Sequence, residues 1–209
     1  IYAFDLSVRG SYINDEIAFF NGTNTFLAVE GQTQQACSLT LQKPTKESYS
    51  HWKVATTMPT NMQNLAAFGD YYANNYAELI DHPVLMGEFD VLPFSTSGVD
   101  FELILAGGHQ ADTQRITQDL AKVCQHHIEF FADIPPIKRY LFITLLTDNA
   151  FGGLEHKDST ALMYSRNDLP SSVDSDKMTE GYRVFLSLCS HEFFHTWHVK
   201  RIKPQELFN

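Results

Sequence analysis

The chain has 209 residues, 44% apolar and 19% charged, which suits one large or two small folded domains and argues against disorder. Its formal net charge is −10 and no lysine- or arginine-rich run occurs. A nucleic-acid partner is therefore not expected, because phosphate binding needs a basic face, and the acidity reads as solubility.

Cys37, Cys124 and Cys189 are odd in number and far apart, so they form neither a disulfide framework nor a C-x-x-C metal knuckle. Cys124 and Cys189 fall in apolar helical patterns and read as buried, inert thiols, compatible with a reducing, cytoplasmic setting. No apolar run reaches membrane-spanning length. The opening IYAFDLSVRG reads as a strand and not as a signal peptide, and the leading isoleucine implies a start inside a longer protein.

The first hundred residues are strand-like. Short β-rich runs recur at 2–8, 16–20, 25–29, 36–41 and 52–56, with turn clusters such as Asn21-Gly22-Thr23 between them. This spacing predicts an antiparallel β domain over residues 1–93. Asn21-Gly22-Thr23 matches a glycosylation sequon, although Asn-Gly is first of all a turn. Tyr71, Tyr72 and Tyr76 read as packing between two domains. Residues 70–88 fit no single period, and 101–106 is one more strand, broken by Gly107-Gly108.

Beyond that point the period changes. Ile116, Leu120, Val123, Cys124, Ile128 and Phe131 follow helical spacing after a candidate N-cap at Asp112. Pro135-Pro136 ends this helix, and YLFITLL at 140–146 reads as a buried strand. A glycine-bearing loop, a strand-like STALMY and a polar stretch lead into a long helix starting near Met178. The fold expected is therefore α+β, with the domain boundary near Pro93 and the second domain over residues 94–209.

That last helix carries His191-Glu192-Phe193-Phe194-His195. Two histidines four apart sit about 40° apart around a helix and roughly 6 Å along its axis. Both imidazoles can then reach one zinc ion (Zn2+) at about 2.0–2.1 Å. Glu192 flanks the same point, where a carboxylate can take a proton from a water acidified by the metal. The bland alternative is a chance pair of surface histidines beside a salt-bridging glutamate. Tyr182, Phe185, Leu186, Cys189, Phe193 and Trp197 argue against it, because polar groups on a largely buried helix need partners.

HEFFHTWHVKRIKP resembles the active-site signature of the glycyl aminopeptidase family of zinc metallopeptidases, matched through Trp197, Val199, Lys200, Arg201 and Pro204. His198 departs from the asparagine usual there and reads as a residue at the edge of the site. A metzincin pattern fails, since it wants glycine at 198 and histidine at 201. Gly152-Gly153-Leu154-Glu155-His156 is similar to the family's Gly-Gly-Leu/Met-Glu-His loop. The resemblance implies that Glu155 anchors the free amino terminus of a peptide, while Gly152 and Gly153 let backbones approach closely. Taken without the family, that stretch reads as a turn with a solvated glutamate and histidine.

The resemblance further implies a partial thermolysin-like catalytic domain of the gluzincin type, a PDZ domain downstream, and an oxyanion-stabilising tyrosine downstream. It also implies a third zinc ligand beyond Asn209, since Glu206 lies too close to His195 to match it. The function expected is removal of an N-terminal residue, glycine or alanine, from peptides with a free amine, with this stretch alone inactive. The rivals are a non-catalytic peptide-binding module and a zinc endopeptidase. His126-His127 has no third partner in the sequence and reads as solvated or core-edge.

Overall fold

The computed structural model describes residues 3–132, 137–171, 173, 177–203 and 205, so Pro135, Pro136, Pro204 and Glu206 lie outside the described residues. The chain divides into two compact units, Ile1–Phe89 and Asp90–Asn209. Pro93 lies within an edge strand, paired opposite Glu102, where a residue lacking an N–H is tolerated.

The first unit is antiparallel. Strands β1 (Ser11–Ile13), β2 (Ile17–Phe20), β4 (Lys53–Ala55) and β6 (Val84–Gly87) form one sheet in the order β1-β2-β6-β4. Strands β3 (Cys37–Leu41) and β5 (Gly69–Ala73) form a two-stranded ribbon. Two expected strands, 2–8 and 25–29, are absent among the described residues. Residue Phe4 makes only an isolated bridge to Tyr12, and Asn21 caps a short helix, α1 (Gly22–Thr25). The Asn21 carboxamide oxygen accepts from the Thr23 N–H at 3.0 Å and the Thr23 hydroxyl at 2.8 Å, a local bond that wins over strand propensity. Leu27, 91% exposed, has no sheet face to cover. Asn21 itself is fully buried, so the sequon cannot carry a glycan in this fold.

Residues 70–88, without a clear period, hold β5, α2 (Tyr76–Ile80) and β6. The tyrosines are a correction. Tyr71 is buried in this unit's own core with Leu41, Val54 and Met58, and its hydroxyl donates to Ala67 O at 2.6 Å. Tyr76 packs against the same core and donates to Phe26 O at 2.9 Å. A buried and a partly buried tyrosine, each with its hydroxyl satisfied, are internal packing.

The second unit is a five-stranded mixed sheet in the order β10-β11-β9-β8-β7. Strands β8 (Val99–Ala106), β9 (Arg139–Thr147) and β11 (Ser159–Ser165) run parallel. Strands β7 (Asp90–Thr96) and β10 (Gly152–Glu155) are the antiparallel edges. Buried parallel strands carry near-continuous apolar runs, which is why YLFITLL and STALMY stand out. Strand β8 ends at Gly107, whose φ of 112° suits glycine.

Helix α3 (Thr113–Phe131) starts where the Asp112 carboxylate accepts the Arg115 N–H at 3.0 Å, and it buries Ile116, Leu120, Cys124 and Ile128. Helix α4 (Glu180–Phe194) is capped by the Thr179 hydroxyl. Its first turn is tied down on two sides. The Tyr164 hydroxyl donates to Gly181 O at 2.6 Å, and the Tyr182 hydroxyl donates to the Asp119 carboxylate at 3.0 Å. Near its far end, the Phe193 ring sits 5.4, 5.0 and 5.2 Å from the rings of Phe101, Tyr140 and Trp197. No helix among the described residues is long and apolar enough to cross a membrane.

Phe193→Ala should cost about 3–5 kcal/mol, because it opens a cavity among three other rings. Urea unfolding of the chain measures it, and a cost below about 1 kcal/mol would show that α4 is held elsewhere.

Candidate metal centre

The two histidines stand at the C-terminal end of α4. His191 lies in its last turn, and His195 is the first residue beyond it, with near-helical φ −64° and ψ −14°. The helix therefore continues far enough to keep the four-residue spacing. The Nε2 atoms of His191 and His195 are 3.2 Å apart, with the rings nearly perpendicular at 89°. Two nitrogens bound to one tetrahedral zinc at about 2.0–2.1 Å would be about 3.3 Å apart, so the donor pair fits such an ion. The helix C-terminus contributes a partial negative charge, which also favours a cation there.

His195 Nδ1 lies 3.4 Å from His198 O. A carbonyl only accepts, so a hydrogen bond here needs the His195 proton on Nδ1, the tautomer that leaves the Nε2 lone pair for a metal. The His198 ring instead stacks on Phe194, with centroids 5.5 Å apart. At this position the backbone serves the site and the side chain does not.

The carboxylates arrive from two directions. Glu192 is buried, 4% exposed, on the face of α4 turned to the sheet. Glu155 comes from β10, which ends the sheet and pairs only with β11. Gly153 and Glu155, two residues apart on a strand, share the face toward α4. Ligand atoms of Glu155, Glu192 and His195 all lie within 4.8 Å of one another. Three residues named from two distant motifs thus meet at one point, and His191 joins them through His195, which is common to the nitrogen pair and to the carboxylate group.

Gly153 also borders Glu192. A Cβ at this position would come within 2.6 Å of the Glu192 carboxylate carbon, so the glycine makes room for the carboxylate itself. No local signal in the sequence could show this, because the neighbour is on another element. The other face of α4 borders an open groove of about 460 Å³ that reaches His191 and is lined by His127, Arg183, Ser187, Ser190 and Phe194 among others. There His127 Nε2 meets the Ser190 hydroxyl at 2.8 Å, and burial holds its pKa below the usual imidazole range. His126 is exposed. Both behave as the solvated and core-edge histidines expected. Cys124 and Cys189 are fully buried, and burial raises both thiol pKa values, which keeps them protonated and inert.

Residues 1–88 match the profile of the peptidase M61 N-terminal domain, and residues 184–209 match that of the M61 glycyl aminopeptidase. The chain belongs to the M61 glycyl aminopeptidase family. A crystal structure of an aminopeptidase N family protein from Idiomarina loihiensis is similar to it, with 46% sequence identity and a TM-score of 0.92. That likeness covers 98% of this chain and 34% of the other, so the chain spans about a third of the length of this relative. No curated protein matches the chain. The antiparallel first unit and the mixed α/β second unit are those of an M61 N-terminal domain followed by part of a peptidase catalytic domain.

Gly153→Val should displace the Glu192 carboxylate, because a branched side chain takes the space it occupies. Peptide hydrolysis by the full-length family member should fall at least a hundredfold, the scale of a lost general base, while its melting temperature changes by only a few degrees. Near-normal turnover would show that Glu192 has room elsewhere.

Proposed function

We propose that the protein containing this chain is a zinc-dependent aminopeptidase that removes the N-terminal residue from peptides with a free amine. The observation that carries this reading is the meeting of a zinc-spaced histidine pair with two carboxylates at an open sheet edge. Glu155 and Glu192 lie close enough to repel each other when both are ionised, and such a pair is stabilised by cations placed between or beside them. A metal and a substrate ammonium supply two.

His191 and His195 would hold the zinc, with the third ligand expected beyond Asn209. When bound, zinc polarises the scissile carbonyl and acidifies a water molecule. Glu192, one residue from His191 and buried against Gly153, takes the proton from that water and passes it to the departing amine. Its burial holds the carboxylate in one place between the two transfers. Glu155 pairs with the substrate α-ammonium, and the unpaired edge of β10 accepts the peptide backbone as an added strand. A carboxylate so near the base leaves little length of chain before the scissile bond, which supports cutting one residue from the end. Membership in the glycyl aminopeptidase family supports small residues, glycine or alanine, as the substrates, and a PDZ domain downstream.

Two substitutions in the full-length protein separate the roles. Glu192→Gln should keep zinc yet lose roughly 10²–10⁴-fold in turnover, whereas His191→Ala and His195→Ala should lose both. Metal analysis alongside peptide hydrolysis reads this out, and near wild-type turnover of Glu192→Gln would remove the assigned base. Glu155→Gln should lower kcat/KM on free-amine peptides by about ten- to a hundredfold, since a charge-assisted pair contributes on the order of 1.5–3 kcal/mol. On N-acetylated peptides it should change little. Equal losses on both would make Glu155 structural and would favour an endopeptidase.

A further inference from the structure

Arg201 sits in the turn that follows α4, and its side chain leaves that turn to reach the β10–β11 hairpin. One guanidinium nitrogen donates to Thr196 O at 2.7 Å and to Lys157 O at 3.2 Å. The other donates to the Asp158 carboxylate at 3.3 Å, with both side chains largely shielded from solvent. The three acceptors lie on two elements, Thr196 beside the zinc-spaced histidines and Lys157 and Asp158 in the hairpin turn. We propose that Arg201 is a positioning residue that holds the Glu155 strand at its working distance from Glu192 and His195.

Three observations support a positioning role over a plain surface clasp. First, β10 is bonded on one side only, by four residue pairs to β11, so its distance from α4 is not set by the sheet alone. The hairpin turn begins directly after Glu155, and a contact at Lys157 and Asp158 is as near to Glu155 as an anchor outside the strand can be. Second, Arg201 steadies the other side of the site as well. Its backbone N–H donates to Trp197 O at 3.0 Å, within the same turn whose His198 carbonyl faces His195 Nδ1. Third, this turn carries strain. Val199 has φ 78°, a conformation that a β-branched residue adopts at a cost, and its N–H bonds to Ile202 O at 2.9 Å. A strained turn keeps its shape when the surrounding bonds over-determine it, and the guanidinium supplies three of them. A planar fork with several fixed N–H directions can serve three acceptors at once, whereas a lysine ammonium reaches one of them well.

The consequence rests on the aminopeptidase reading in one respect, the role of Glu155, and the test separates the two. Arg201→Ala, Arg201→Lys and Asp158→Asn would be made in the full-length protein, each checked for zinc content. In Arg201→Ala, kcat/KM on a free-amine peptide should fall ten- to a hundredfold, as expected when a binding group is misplaced by about an ångström. The same variant should lose markedly less on the N-acetylated peptide, which makes no use of the Glu155 carboxylate, and Arg201→Lys and Asp158→Asn should fall between Arg201→Ala and the wild type. Hydrogen exchange gives a readout independent of peptide choice. Amides of residues 154–159 should exchange at least about tenfold faster in Arg201→Ala, with β8 and β9 unchanged. Faster exchange there supports the clamp even if the wild-type protein does not distinguish free from blocked peptides, a result that would count against the aminopeptidase reading alone. Unchanged exchange in the hairpin would overturn the proposal, and so would equal losses on free and blocked peptides in a protein that prefers the free amine.

Discussion

The seating of α4 on the sheet is the constraint from which the site follows. Polar side chains converge at the C-terminal end of this helix because its buried side is fixed at both ends. Tyr164 and Tyr182 hold the first turn through hydroxyl bonds, and Phe193 wedges the last turn among Phe101, Tyr140 and Trp197. Phe193 follows Glu192 directly in the chain. The ring that anchors the helix thereby sets the direction in which the neighbouring carboxylate leaves it.

Glu192 illustrates the energetic balance at such a place. A carboxylate 4% exposed, with a second carboxylate and an imidazole within 4.8 Å, is costly to keep charged. The arrangement becomes favourable once positive charge is shared among the three groups. Gly153 belongs to the same balance. It gives up a side chain, and some strand stability, so that Glu192 can lie flat against the edge of the sheet. Both features are what the proposed cation-binding site would require.

Much of this was legible in the sequence where the signal is local. The four-residue spacing of Ile116, Leu120, Cys124 and Ile128 marks α3, and Asp112 marks its start, because a helix repeats every 3.6 residues whatever surrounds it. The runs that became β9 and β11 were equally plain, being buried strands without alternation. The His191 and His195 spacing is also a property of one helix. What the sequence concealed depends on neighbours far along the chain. Thr25 to Val29 has strand composition, yet the Asn21 cap and the want of a sheet to cover Leu27 leave it irregular. Tyr71 and Tyr76 belong to the first unit's own core, which composition alone could not tell from a surface between domains. Gly153 against Glu192 and Arg201 against Asp158, the latter 43 residues apart, are visible only once β10 and α4 lie side by side.

The proposed function requires that His191 and His195 hold one metal ion beside the carboxylates. X-ray absorption at the zinc edge of the full-length, metal-loaded protein tests it most directly. Two imidazole nitrogens at about 2.0–2.1 Å are expected, with oxygen completing the shell. A spectrum without imidazole scattering, or with sulfur at about 2.3 Å, would contradict it.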